Sequence, residues 1–110
     1  MGTFVKGAVV VVPFPFSNLS QIKRRPALVV ANLSGDDVVL CQITSQSVKD
    51  QYAIPLEDSD FVHGTLQRPS NIRPNRLFTA DSNIINYQVG NIGHVKLNEA
   101  TDAIISILRT

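Results

Sequence analysis

Ala8 is followed by four valines in a row, Val9 to Val12, and the run is closed by Pro13 and Pro15. No other feature narrows the possible folds as much. Valine loses rotamer freedom in a helix and packs well on a pleated surface. An apolar run without polar alternation predicts a strand buried on both faces. It is too short for a signal-peptide core and far too short for a membrane span.

The pattern returns at Ala27 to Ala31 and at Val38 to Ile43. Between them, Asn32 to Asp37 carries Ser34-Gly35-Asp36, the chemistry of a hairpin turn. Weaker strands are expected at Tyr52–Ile54, and at Asn71–Arg73 and Leu77–Thr79, which Pro74 divides. Near the C-terminus the period changes. Ala100, Ala103, Ile104, Ile107 and Leu108 fall at i, i+3, i+4, i+7 and i+8, one stripe of a helix. Asn98 is the expected N-cap, Glu99 suits the positive end and Arg109 the negative end.

The expectation is a mainly β chain with a C-terminal helix, a small barrel or curled sheet with the helix packed on it. At 110 residues it reads as one domain over residues 1–110. Two long loops stand out, Pro13 to Arg25 and Thr44 to about Pro55. Loops of about twelve residues are uncommon in a compact domain and are often functional.

Apolar residues make up 44% and charged residues 17%, which favours a packed core over disorder. That core is small, so an oligomer interface is a natural further source of buried area. The formal net charge is +1, so a nucleic-acid site must come from local clustering rather than a global field. A single cysteine, Cys41, excludes an internal disulfide framework, and its apolar neighbours favour a buried, inert thiol. With no export signal and no membrane span, a soluble cytoplasmic protein is expected.

Three clusters could carry chemistry. Lys23-Arg24-Arg25-Pro26 closes the first long loop. Pro26 pushes Arg25 into extended backbone, which aims a side chain suited to bidentate phosphate contact. Gln42-Ile43-Thr44-Ser45-Gln46-Ser47 ends a strand in hydroxyl and amide groups, able to hold a phosphate or read base edges. Arg68, Arg73 and Arg76 lie in a stretch with no acid from Phe61 to Ala80. That is an electrostatic footprint for a nucleic-acid backbone, with Phe61 and Phe78 at its edges as stacking faces or, more commonly for Phe in a strand, core. Each cluster taken alone is also compatible with an ordinary solvated loop. His63 and His94 are far apart in sequence, with no Cys or carboxylate at ligand spacing, so neither a metal site nor another cofactor site is expected.

Five segments recur in a definite order. Lys6-Gly7 precedes the valine strand, and Pro13-Phe14-Pro15-Phe16-Ser17 follows it. Arg25-Pro26 opens the strand Ala27 to Val30, Ile43-Thr44-Ser45 ends the next, and Ile92-Gly93-His94-Val95 leads into the helix. In this order and spacing they resemble the MazF/PemK family of toxin endoribonucleases over nearly the whole chain.

The resemblance implies a small SH3-like barrel of the CcdB/MazF toxin type, a homodimer, and a cognate antitoxin protein as partner. Operator DNA would be reached only through the antitoxin, and no membrane is involved. It implies metal-independent, sequence-specific cleavage of single-stranded RNA by attack of the 2′-hydroxyl. The matching catalytic positions are Arg25 and Thr44. Lys23, Arg24, Ser45, Gln46, Arg68, Arg73, Asn75 and Arg76 are the RNA-binding candidates. Arg73 matches an arginine that PemK-type members pair with an aspartate two residues on, where this chain has Asn75. Phe78 stands where many members carry arginine. Two alternatives remain beside this reading. One is a gyrase-binding toxin without chemistry of its own, although Leu108-Arg109-Thr110 lacks the bulky aromatic that CcdB relatives use. The other is a degenerate module kept for antitoxin binding.

Overall fold

The computed structural model describes residues 4–15, 22–47 and 50–110. The valine run lies at the start of β1 (Ala8–Pro15). It is followed by β2 (Ile22–Asn32), β3 (Asp37–Thr44), β4 (Ile54–Leu56), β5 (Phe61–Gly64), β6 (Ser70–Asp81), β7 (Tyr87–Ile92) and α1 (His94–Arg109). The strands form one antiparallel sheet in the order β4-β6-β3-β2-β1-β7-β5. β4 and β5 are its edges, so the expected barrel is a curled half-barrel with a C-terminal helix.

Both faces of the sheet are covered, as the valine run requires. On one face Val9, Leu28, Cys41, Ile43 and Ile72 pack with Ala100 of α1, and Leu97 and Ala103 lie against them. On the other, Val10, Val12, Ala27, Val29 and Leu40 pack beneath Phe4, Phe14, Phe78 and Ile85. Period-2 alternation sends neighbouring valines to opposite cores.

The prolines explain where the expected strands were too short. β1 pairs with β7 only from Ala8 to Val11, but with β2 as far as Pro15. Beyond Val11 one side of β1 needs no donor, so Pro13 and Pro15 remain in the strand. Hence both flanks of the expected Pro13–Arg25 loop are paired strand, with Pro13 opposite Arg24 and Pro15 opposite Ile22. Residues 16–21 of that loop, including Phe16 and Ser17, lie outside the described residues, as do residues 48–49 of the second loop. Pro74 likewise fails to divide the chain. Asn71–Arg73 and Leu77–Thr79 are parts of a single strand, β6. The short candidate at Tyr52–Ile54 is shifted to β4, where Pro55 is tolerated on an edge.

The helix starts earlier than expected, at His94 with Gly93 as N-cap, and Asn98 lies inside it. Leu97 packs on the core, so the turn before Asn98 has an apolar contact to keep it helical. Ala100 and Ile104 are buried as the stripe predicts, but Leu108 is 71% exposed at the helix end. β5 and β7 touch at paired glycines: a Cβ on Gly64, whose φ is +72°, would meet the Val89 carbonyl oxygen at 2.0 Å. Among the described residues no helix is long and apolar enough to cross a membrane.

Candidate active site

β2, β3 and β6 are neighbours, and candidate residues gather where the β2–β3 pairing stops and along β6 beside it. The pairing of β2 with β3 ends at Ala27 with Gln42. Two residues further on each strand stand Arg25 and Thr44. Thr44 in turn pairs with Asn71 of β6. Strand alternation puts Arg25, Thr44, Asn71 and Arg73 on the face that α1 does not cover. β2 runs free of β3 beyond Ala27, where Pro26 has no N–H to give.

A cleft of about 180 Å³ opens there, lined by Arg25, Thr44, Ser45, Arg68 and Ser70, with Pro26, Ile43 and Leu66 as its apolar wall. Arg25 and Thr44 are half-buried rather than fully exposed. The Thr44 hydroxyl oxygen accepts the Gln46 N–H at 3.2 Å, which uses a lone pair and leaves its proton to donate. The Ser70 hydroxyl donates to the Arg68 carbonyl at 3.1 Å. Just before Arg68, Gln67 takes a left-handed turn at φ 68°, steadied by its N–H donating to the Thr65 hydroxyl. The turn brings an arginine from outside the sheet into the cleft.

Beside the cleft β6 is bulged. Cys41 pairs with Leu77 and Ile43 with Ile72, so the segment from Arg73 to Arg76 faces the lone residue Gln42. Such bulges re-aim side chains and are common beside functional sites. The Cys41 thiol donates to the Arg73 carbonyl at 3.0 Å and fixes the start of the bulge. Burial pushes that thiol up to about 12.

The Arg73 guanidinium forms an ion pair with Asp50, Nη2 to Oδ2 at 2.9 Å, with the side chains 18% and 28% exposed. The Asn75 amide donates to the same Oδ2 at 3.5 Å. Oδ1 of Asp50 accepts the N–H groups of Tyr52 and Ala53, each at 3.0 Å. The hydrogen bond from Arg73 holds the Asp50 carboxyl below its ordinary value of 3.8; desolvation opposes it, and the two backbone donors and the charge of Arg73 add to the lowering.

Of the sequence candidates, the fold brings Arg25, Thr44, Ser45 and Arg68 into one cleft, and Arg73 and Asn75 onto one carboxylate. Lys23, Arg24, Gln46 and Arg76 are exposed and do not line the cleft. The stretch around Arg73 is free of acids in sequence but not in space, because Asp50 arrives from the loop after β3. Phe78 stacks edge-on against Phe14, with ring centroids 5.0 Å apart at 82°, and Phe61 packs against the core, so both are core aromatics. Ser70 and Asp50 escaped the sequence reading. Only the Asx-turn pattern of Asp50 before Tyr52-Ala53 hints at a fixed carboxylate.

The sequence profile of PemK-like, MazF-like toxins of type II toxin–antitoxin systems matches residues 5–108. The chain belongs to this family. Solved structures similar to the toxin include a mycobacterial endoribonuclease in complex with its cognate antitoxin, at 16% identity and TM-score 0.74 over 96% of this chain and 95% of that one. MazE–MazF from Deinococcus radiodurans is 19% identical at TM-score 0.69, covering 94% and 92% of the two chains. The Mycobacterium tuberculosis toxin MazF-mt6 is 15% identical at TM-score 0.67, covering 88% and 91%. At such identities the likeness is one of fold. Curated protein sequences contain no significant match to the toxin.

Proposed function

We propose that this toxin is an endoribonuclease that cuts single-stranded RNA at the cleft where β2 parts from the end of β3. The observation that carries the reading is the meeting of Arg25 and Arg68 with the hydroxyls of Thr44, Ser45 and Ser70 in one small cleft. The guanidinium groups and the Thr44 and Ser45 hydroxyls can donate to a phosphodiester's non-bridging oxygens, while the Ser70 proton is already committed to the Arg68 carbonyl.

The nucleophile is the RNA's own 2′-hydroxyl. Its oxygen bonds to the adjacent phosphorus, the bond to the 5′ oxygen breaks, and the products are a 2′,3′-cyclic phosphate and a free 5′-hydroxyl. Extra negative charge gathers on the phosphoryl oxygens at the pentavalent stage. Arg25 stabilises that charge, and the Thr44 proton holds one oxygen in place. Arginine stays protonated far above neutral pH, so it is a donor here and not the base. Because the substrate brings its nucleophile, the scheme calls for no metal. Arg68 and Arg73, with the exposed Lys23, Arg24 and Arg76, hold the strand's backbone, and Ser45, Gln46 and Asn75 offer contacts to base or sugar.

The toxin acts in the cytoplasm as a homodimer held in check by a cognate antitoxin, and reaches operator DNA only through it. The structures of mycobacterial and Deinococcus relatives with antitoxins support the partner, and the exposed Val95, Ile105 and Leu108 support a further apolar interface.

The test is incubation with a long single-stranded RNA in EDTA, then mapping of the new ends. Cuts at a short recurring sequence, with 5′-hydroxyl and cyclic phosphate ends, are expected. Intact RNA at stoichiometric enzyme, or ends bearing a 5′-phosphate, would overturn the reading.

A further inference from the structure

Arg73 shares a face with Thr44 and lies about 7 Å along β6 from Asn71, the residue paired with Thr44. Its backbone is fixed by the Cys41 thiol, but its side chain leaves a bulge and needs its own anchor. Among the described residues that anchor is Asp50 alone, since the buried Arg73 Nε finds no acceptor. An arginine otherwise has many rotamers of similar energy.

Asp50 is itself held more tightly than most surface carboxylates. Two backbone N–H groups fix Oδ1, while Arg73 and the Asn75 amide converge on Oδ2. A carboxylate so occupied can orient a cation. It is badly placed to take a proton, because a general base needs a free lone pair within reach of its target. Asp50 lies in the loop that Thr44 opens, so one segment between β3 and β4 carries both a cleft hydroxyl and the arginine's anchor.

We propose that Asp50 is a positioning residue for the cleavage reaction, its carboxylate aiming the Arg73 guanidinium at the RNA backbone on the face shared with Thr44. The inference rests on the placing of the active site given above. Asn75 contributes as the second donor to that carboxylate, so position 75 lies against the same oxygen that Arg73 holds.

The experiment measures kcat and KM on one defined RNA for wild type, Asp50→Ala, Arg73→Ala, the Asp50→Ala/Arg73→Ala pair, and Asp50→Ala/Asn75→Asp. Asp50→Ala is expected to lower kcat about tenfold with KM within about twofold, the pattern of an interaction needed in the transition state. In the Arg73→Ala background it should cost nothing further, and Asn75→Asp should restore kcat to within about threefold of wild type. If Asp50→Ala melts early, Asp50→Asn replaces it, since its amide oxygen keeps the Tyr52 and Ala53 bonds while its NH₂ faces Arg73. Full kcat in the folded variant overturns the inference. So does an equal loss with Arg73 already removed, or a failure of Asn75→Asp to restore any rate. Arg25→Ala and Thr44→Ala run alongside. If they keep full rate, the placing of the site falls and this inference with it. If they abolish cleavage while Arg73→Ala does not, only the inference falls.

Discussion

The thiol of Cys41 on β3 and the main-chain carbonyl of Arg73 on β6 are hydrogen-bonded at 3.0 Å, directly under the bulge that carries the arginine. The toxin's one sulfhydryl therefore has a structural task. It is wholly buried and its proton is held to a pKa of about 12. Because the thiolate is the reactive form, alkylation at about pH 8 should be at least about 100-fold slower in the native protein than in denaturant. Mass spectrometry after a timed iodoacetamide pulse reads this out. Rapid native labelling would show that the bulge opens readily.

Arg25 and Thr44 are expected to dominate the chemistry. Arg25→Ala and Thr44→Ala should each lower the single-turnover cleavage rate by about 100-fold or more, the loss typical of removing one donor from a developing oxyanion. Both side chains are half-buried, so melting curves must accompany the rates. A folded variant that still cleaves at near wild-type rate would remove its residue from the mechanism.

Arg76 lies outside the cleft and is exposed, so its expected part is attraction of the backbone rather than chemistry. Arg76→Ala should weaken RNA binding and lower the slope of log affinity against log salt by about one, leaving the cut sequence unchanged. A changed cut sequence would reveal base reading at this position instead.

The Arg73–Asp50 pair gives a signed pH dependence. Its carboxyl titrates below 3.8 when folded, so the pair's contribution to stability is fully present above that value. It disappears as pH falls through the lowered native pKa. The difference in melting temperature between wild type and Asp50→Asn should therefore shrink toward zero as pH is lowered below the ordinary carboxylate range and through the lowered native pKa. A difference that stays constant or grows on acidification would contradict the pairing.

Much of the fold could be read because its signals are local. The valines of β1, the aliphatic runs of β2 and β3 and the stripe on α1 each announce their own period. Arg25 and Thr44 could be singled out because Arg25 stands directly before Pro26 and Thr44 closes the apolar run of β3. β5 and β7 could not. His63-Gly64 and Val89-Gly90 offer little side chain to pattern, and their pairing depends on two backbones meeting without a Cβ between them. Asp50 was hidden for a different reason: its partner is 23 residues away, and the contact exists only once β6 is folded beside the β3 loop. β6 was divided in two because Pro74 reads as a breaker, whereas in the sheet it occupies the unpaired part of a bulge.

That proline has a wider effect. A strand with surplus residues can in principle shuffle its slack along the ladder, and each one-step slip would turn every side chain over to the opposite face. Pro74 has no N–H with which to join the ladder, and its ring is buried, so the slack has one place to stay. Arg73 thus keeps its outlook not through its own interactions alone but because its neighbour cannot trade places. In this chain Pro74 works as a ratchet pawl, holding the alignment of β3 and β6 at one register.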